Sequence, residues 1–436
     1  MRFDASFLRK VRKQFDAVET DPRGRKRAFL DNGAGTLVTR RAAEMEAKAR
    51  VNWSANVGNL FLESKGAEQT ILEGRESVSD LLNAEGPHTI VSGESATSLL
   101  FSLSYALGRG MTGKENIVTT GYEHYTNVNP WVELGTEGKI GELRFADFDM
   151  ETGVMPLENL KKLVDKDTKI ITVTAASNVL GTRSDLKAIS KIAKEVGAYF
   201  VIDAVHHVAH GLTDVKDIGC DFLVFSGYKL FSRHGSFMYM KPSAMDDLMP
   251  YKVLPSPKKG PEKWEWGTRD QAMFAAVTGA VDYLAWIGNP TAKHPPKAGP
   301  QRRARLQQAF KEIEKYEKQI SHLVLEGEGS LLGLNYIPGI TVYGPKDVKS
   351  GVGRDPTFAF KMSEMDDRQL SLRLWDEFAL AVGAEDYYSR VPALYNEKTM
   401  LRATFCHYNT REEAVAFLKA LNDIVIEKRT PQKPAV

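Results

Sequence analysis

Asp221-Phe222-Leu223-Val224-Phe225-Ser226-Gly227-Tyr228-Lys229 decides how this chain is read. It is a short apolar run that ends in a small turn with one lysine at its tip. Upstream, Ala198-Tyr199-Phe200-Val201-Ile202-Asp203 repeats the pattern and ends in a single carboxylate. Short apolar runs with β-branched and aromatic residues are how strands covered on both faces read. In a parallel sheet, ligands sit at the carboxyl ends of such strands. The two runs therefore bring Asp203 and Lys229 to one edge.

Working outward, helix and strand patterns alternate from about residue 70. A helical stretch from Glu68 to Leu82 leads to a strand at His88–Val91, then to an apolar helix from Ala96 to Leu107. Asn116–Thr120 and Lys169–Thr174 read as strands, and so does Ser236–Met240 after the lysine turn. Leu186, Ile189, Ile192, Ala193 and Val196 share one face of a helix. This order predicts βαβ units: an α/β fold with a mostly parallel, seven-stranded type of sheet and helices on both faces. Gly288, Asn289, Pro290, Pro295, Pro296, Gly299 and Pro300 mark a surface loop. Beyond it come a long charged helix (Arg303–Leu325) and a different rhythm. Strands Ile340–Tyr343, Thr357–Phe360 and Leu401–Phe405 alternate with helices Asp367–Phe378 and Arg411–Ile426, which fits a smaller α+β C-terminal domain. Thr410 and Glu413 form a capping box for the last helix. The expected division is an N-terminal arm (1–30), which can pack with the small domain, a large domain (31–290) and the small domain (291–436).

The 436 residues carry a net charge of +2, with 26% charged and 42% hydrophobic residues. This is an ordinary globular composition that implies no nucleic-acid or other polyanionic partner. The two cysteines, Cys220 and Cys406, cannot build a disulfide framework, and each reads as a small buried hydrophobe. Met1-Arg2-Phe3-Asp4 opens no apolar signal core, and no run approaches the ~20 apolar residues of a membrane span. The expectation is a cytoplasmic protein without membrane contact.

A lysine and a carboxylate at one sheet edge are what pyridoxal 5'-phosphate needs. The lysine holds it as a Schiff base, and the acid pairs with its pyridinium nitrogen. Ser92-Gly93-Glu94-Ser95-Ala96-Thr97 lies between a strand and a helix, where unpaired N–H groups and the helix dipole suit a phosphate. Ser95 reads equally well as a plain helix cap. Two other readings stand beside these. Gly93–Thr97 is similar to a nucleophile elbow, with Asp203 and His206 following in hydrolase order but only three residues apart. Asp203, His206 and His210 have spacing that suits a metal.

Several motifs, in order and over most of the chain from about Leu30, resemble the class V aminotransferase family of fold-type I pyridoxal-phosphate enzymes, in its cysteine desulfurase-like branch. They are Leu30–Gly35, Glu123-His124-Tyr125-Thr126-Asn127, Ser177-Asn178-Val179-Leu180-Gly181-Thr182, Asp203, Ser226-Gly227-Tyr228-Lys229, Trp266-Gly267-Thr268 and Arg402. The resemblance implies that His124 stacks on the cofactor ring and that Asn178 lies beside its phenolic oxygen or the substrate. His206 takes a place often held by glutamine. Ser95, Glu94 and Ser226 lie toward the phosphate, and Tyr228 stands where histidine is common. Lys229 carries the Schiff base, and Arg402, with Asn178 and Ala34, meets the substrate. Thr268 reaches the phosphate site of the other subunit of a homodimer.

The resemblance also implies an α-amino-acid substrate bound through an external aldimine. One departure bears on the reaction. Where relatives carry a nucleophilic cysteine, this chain reads Ala381-Val382-Gly383-Ala384-Glu385-Asp386-Tyr387-Tyr388-Ser389, and Asn56-Val57-Gly58-Asn59 replaces a His-Arg-Gly gate. The expected chemistry is therefore β-elimination of C–S lyase type without a cysteine nucleophile. Transamination, epimerisation and desulfuration to an unconventional acceptor are the alternatives.

Overall fold

The computed structural model describes residues 3–347, 353–363 and 365–429. Seven strands form the main sheet: β1 (Ile90–Gly93), β2 (Asn116–Thr120), β3 (Glu142–Ala146), β4 (Thr168–Thr174), β5 (Tyr199–Asp203), β6 (Phe222–Ser226) and β7 (Ser236–Met240). Their spatial order is β1-β7-β6-β5-β4-β2-β3. Every pairing is parallel except the two made by β7. The carboxyl ends of β1, β2, β4, β5 and β6 thus share one edge.

Helices cover both faces, and the strands show why they can. On β6, Leu223 and Phe225 join one core cluster while Phe222 and Val224 join another, all at 0% exposure. A strand apolar on both faces needs a layer on each side. Helix α3 (Ala96–Gly108) supplies Leu99, Leu100 and Leu103 to one face. On the other lie α2 (Leu62–Leu82), α4 (Leu186–Val196) and α5 (Gln271–Gly288), with Val78, Ile189 and Phe274 among their contributions. Each such side chain contributes roughly 1.5–3 kcal/mol by leaving water.

Helix α6 (Pro300–Glu326) leads to a second sheet, made of β8 (Ile340–Tyr343), β9 (Thr357–Met362), β10 (Gly383–Glu385) and β11 (Met400–Thr404) in the antiparallel order β8-β9-β11-β10. Helices α7 (Asp367–Phe378) and α8 (Arg411–Arg429) belong with it. The capping box of α8 forms as its residues require: the Thr410 N–H donates to Glu413 at 3.0 Å, and the Glu413 N–H donates to the Thr410 hydroxyl at 3.1 Å. The N-terminal segment is tied to this part of the molecule. Arg12 meets Glu413 at 2.9 Å, the Phe3 ring stacks on Tyr316 at 5.0 Å, and Ala28–Phe29 pairs in parallel with Leu380–Ala381.

Two boundaries differ from the sequence reading. The first strand starts at Ile90, because Pro87–Thr89 turn as a 3-10 helix opened by proline. The helix expected from Glu68 begins at Leu62, through a stretch whose buried residues are the small Ser64 and Ala67, which carry no strong apolar signal. Among the described residues, no helix is long and apolar enough to cross a membrane.

Candidate active site

A cavity of about 500 Å³ opens at the shared strand edge. Ala34, Ser95, His124, Asn178, Asp203, His206, Ser226, Tyr228, Lys229 and Arg402 all line it. These ten come from five strand ends or loops of the large sheet, from the N-terminal segment and from β11. Two expected residues lie elsewhere. Glu94 is exposed and outside the lining, and Thr268 is exposed in a separate hollow beside Asn56 and Val57.

Lys229 ends a single 3-10 turn, Gly227–Lys229, directly after β6. The turn is tight enough to demand glycine, since a Cβ at 227 would meet the Arg233 carbonyl at 2.7 Å. Lys229 is 7% exposed, and its ammonium donates to the Gly33 carbonyl. Burial, with the nearby Arg402 cation adding to it, pulls its pKa down to about 7. An amine that is partly neutral near pH 7 is a competent nucleophile. Asp203 ends β5 and accepts from the Val205 N–H at 2.9 Å. Burial lifts its carboxyl to about 6. A cation placed beside it would return it to the charged form.

His124 follows β2. Its Nδ1 accepts from the Thr126 N–H at 3.0 Å, and burial and then the Lys229 and Arg402 cations hold it down at about 4. The ring is therefore neutral at pH 7, with its proton on Nε2. Its neighbour Glu123 is fully buried and accepts from Thr120 at 2.5 Å, Asn127 at 2.7 Å and the Thr174 N–H at 2.9 Å. Burial raises it to about 8. Its carboxyl group stitches the ends of β2 and β4 together, one residue from His124.

Arg402, on β11, is 2% exposed. It donates to the Asn178 carbonyl at 3.0 Å and to Asp31 at 3.4 Å, and its guanidinium lies 3.9 Å from the centre of the Tyr387 ring. Its Nε and the Asn178 Oδ1 are buried without partners. Buried polar groups are normally satisfied, so two orphans on one cavity wall mark where a polar ligand belongs. Asn178 itself is held by a bond from its Nδ2 to the Tyr387 carbonyl at 3.0 Å.

His206 bonds the Thr357 hydroxyl at 2.8 Å and is kept neutral by burial and the neighbouring His210. The Ser226 hydroxyl pairs with Ser236 at 2.8 Å. Tyr228 stacks on His234 with centroids 4.8 Å apart. Ser95 caps α3, accepting from the Ser98 N–H at 3.0 Å, and it also lines the cavity. The cap reading and the cavity position hold together.

The rival readings are not assembled. The Ser95 hydroxyl bonds Ser98, and no imidazole reaches it among the described residues. The metal-like group near His206 and His210 contains Asp355, not Asp203. Asp355 is already engaged by Arg183 at 2.7 Å and by His207 at 3.0 Å. Both cysteines are free and buried, as expected, and neither lines the cavity. Sequence reasoning missed Tyr387, Tyr388, Glu385, Tyr125 and Phe101, which also line the cavity. Tyr387 and Tyr388 adopt left-handed φ of 57° and 49°, which side chains rarely take and no sequence pattern announces.

Comparison with known proteins gives the family and the fold. The family model described as aminotransferase class-V matches residues 28–417. A probable cysteine desulfurase of Synechocystis sp. is 27% identical over 430 residues, covering 94% of this chain and 94% of its own. A cysteine desulfurase of Escherichia coli is 26% identical over 433 residues, covering 95% and 97%. Among solved structures, a cysteine desulfurase from Thermococcus onnurineus superposes with a TM-score of 0.81 at 23% identity, over 96% of this chain and 98% of the other. The E. coli cysteine desulfurase CsdA gives 0.79 at 20% identity, over 97% and 98%.

Proposed function

The chain belongs to the aminotransferase class-V family of pyridoxal-phosphate enzymes, and from that premise we propose that it cleaves the bond between Cβ and sulfur in an α-amino acid without a cysteine nucleophile. One observation carries the proposal: the segment 381–389, where a sulfur-accepting cysteine is expected, places Tyr387 and Tyr388 in the cavity wall, and no described lining residue is a cysteine. The relatives named above are cysteine desulfurases. That activity needs a thiol to take the sulfur, whereas elimination needs only a base and an electron sink.

The residues present fit the cofactor. When bound, pyridoxal phosphate supplies the electron sink that acidifies the substrate's Cα–H bond. In our reading, Lys229 is the attachment point, and its depressed basicity makes it the base that takes and returns a proton at Nζ. Asp203 supplies the negative charge beside the ring nitrogen. His124, neutral and held by the Thr126 N–H, packs against the ring face. The helix start at Ser95 and the hydroxyl of Ser226 receive the phosphate. Arg402 takes the substrate carboxylate with the face left open by its unpartnered Nε.

We extend the proposal to a homodimer in which Thr268 completes the partner's site. The exposure of Trp266 (59%), Val253 (66%) and Leu254 (97%) on that side supports it, because exposed apolar groups of this size mark contact surfaces.

The test is to load the protein with pyridoxal phosphate and supply S-alkyl-L-cysteines. Pyruvate, ammonia and the free thiol in equal amounts, absent in Lys229→Ala, is the expected result. Alanine with protein-bound sulfur from L-cysteine would instead make it a desulfurase. A keto acid that retains the side chain would make it a transaminase.

A further inference from the structure

We infer that the outer half of the cavity selects an amino acid whose side chain ends in a cation, with Glu385 as the selecting residue. The inference rests on the proposed amino-acid substrate and names its class.

Glu385 is the last residue of β10, which pairs antiparallel with β11 so that Gly383 faces Arg402 and Glu385 faces Met400. Residues two apart on a strand share a face, so Glu385 lies on the Arg402 side and is its diagonal neighbour. Diagonal neighbours stand roughly 7–8 Å apart. A substrate whose α-carboxylate meets Arg402 then presents the end of a four-atom side chain to Glu385. The antiparallel pairing of β10 with β11 fixes the backbone spacing of these two residues.

The surroundings of Glu385 favour a cation. Of the described lining residues only Asp203 and Glu385 are carboxylates, and Asp203 lies at the deep end with its bond from Val205. Among the described residues, the Glu385 side chain makes no hydrogen bond or ion pair, although Lys229 and Arg402 line the same cavity. Glu385 is itself exposed, so its carboxyl group borders the cavity from the solvent side. The same cavity is lined by the rings of Tyr125 and Tyr388, 37% and 66% exposed, and by Phe101. Aromatic faces beside a carboxylate are the arrangement that receives ammonium groups. Tyr388 keeps its place against strain: two consecutive tyrosines adopt a left-handed backbone, which persists where surrounding contacts impose it. The Tyr125 N–H donates to the Tyr388 carbonyl at 2.7 Å, the Tyr388 ring stacks on His124 at 5.9 Å, and the Tyr387 hydroxyl donates to the Met400 carbonyl at 2.9 Å.

With the proposed chemistry, the substrate is a β-thioether amino acid whose sulfur substituent ends in a cation. The Cβ–S bond breaks with its electron pair going to sulfur, Lys229 removes the Cα proton, and the sulfur leaves as a protonated thiol. Water then releases pyruvate and ammonia, and no oxidant or reductant is required.

The experiment uses the loaded full-length protein and two matched pairs of probes: L-lysine against L-norleucine, and S-(2-aminoethyl)-L-cysteine against S-propyl-L-cysteine. Binding is read from the shift of the visible absorption band. The cationic member of each pair binds about tenfold more tightly, the sum of a modest cation–π contact and a partly exposed ion pair. Glu385→Gln cuts that preference about threefold, Tyr388→Ala does the same, and the double variant abolishes it. Equal binding of cationic and neutral members, or a preference that survives in the double variant, overturns the inference and leaves the amino-acid site standing. If no amino acid shifts the band, the proposed function and this inference fall together.

Discussion

His210 and Glu317 meet inside the molecule, imidazole Nδ1 to carboxylate at 3.0 Å, both nearly inaccessible to water. The pair joins the loop after β5 to α6. Parallel to it run the contact of His206 with Thr357 and the contacts of His207 and Arg183 with Asp355. A row of polar contacts therefore ties one wall of the cavity to α6 and to β9, the strand that pairs with the one carrying Arg402.

Stability should report on this pair as pH rises. Burial opposes the charged ring of His210, but Glu317 outweighs it and raises the imidazole above its usual value. Burial raises Glu317 to about 7. The pair keeps a proton that the unfolded chain gives up above about pH 6.5. Its contribution is complete below that pH and is lost as pH climbs through the folded pKa of His210. In urea unfolding of the unloaded protein at pH 6 and pH 9, the wild type loses more stability than Glu317→Gln, because contributions common to both, such as that of Lys229, cancel in the comparison. Glu317→Ala, which leaves a buried imidazole unpaired, costs about 3–5 kcal/mol at pH 6.

Lys229 should carry a stability cost of its own. Its folded pKa of about 7 lies well below the ordinary lysine value. The unfolded chain therefore binds the proton more tightly, and stability rises with pH between about 7 and 10.4. Lys229→Met in the unloaded protein is expected to gain about 2–4 kcal/mol at pH 7 and to lose that advantage by pH 10. Urea midpoints at the two pH values measure it.

Gly33 should tolerate no side chain. A Cβ there would stand 2.6 Å from the Thr404 hydroxyl and 2.8 Å from the Arg402 guanidinium carbon. Gly33→Ala is expected to displace Arg402 and the Lys229 contact together. The amino-acid concentration needed to half-saturate the spectral response rises at least about tenfold, with a stability loss of about 1–3 kcal/mol.

The cap of α8 offers a control remote from the chemistry. Thr410→Ala removes the hydroxyl that accepts from the Glu413 N–H and is expected to cost about 1 kcal/mol. Thermal unfolding should register the loss with no change in the pH dependence.

Much of the site was legible because its parts sit where local patterns end. Asp203 and Lys229 close apolar strands, and Ser95 starts a helix whose cap chemistry is explicit. His124, Asn178 and Arg402 carried family-like motifs. What was not legible depends on partners far away in sequence. Glu385 reads as one acidic residue in a polar stretch until β10 is set against β11. Asp355 replaces Asp203 beside the histidines because the start of β9 folds over the loop after β5, a contact between residues about 150 apart.

The sequence by itself determined the layers of this protein, the edge where its chemistry gathers and the lysine at the centre of it. Strand and helix periodicity, glycine turns and caps act over a few residues, and each leaves a mark in the order of amino acids. Only the tertiary structure decided what surrounds that lysine: which carboxylate stays free at the rim, which tyrosines accept a left-handed backbone, and how far burial shifts each charge. These are sums over neighbours brought together by packing, and desolvation and Coulomb energies depend on distances that the linear order does not contain.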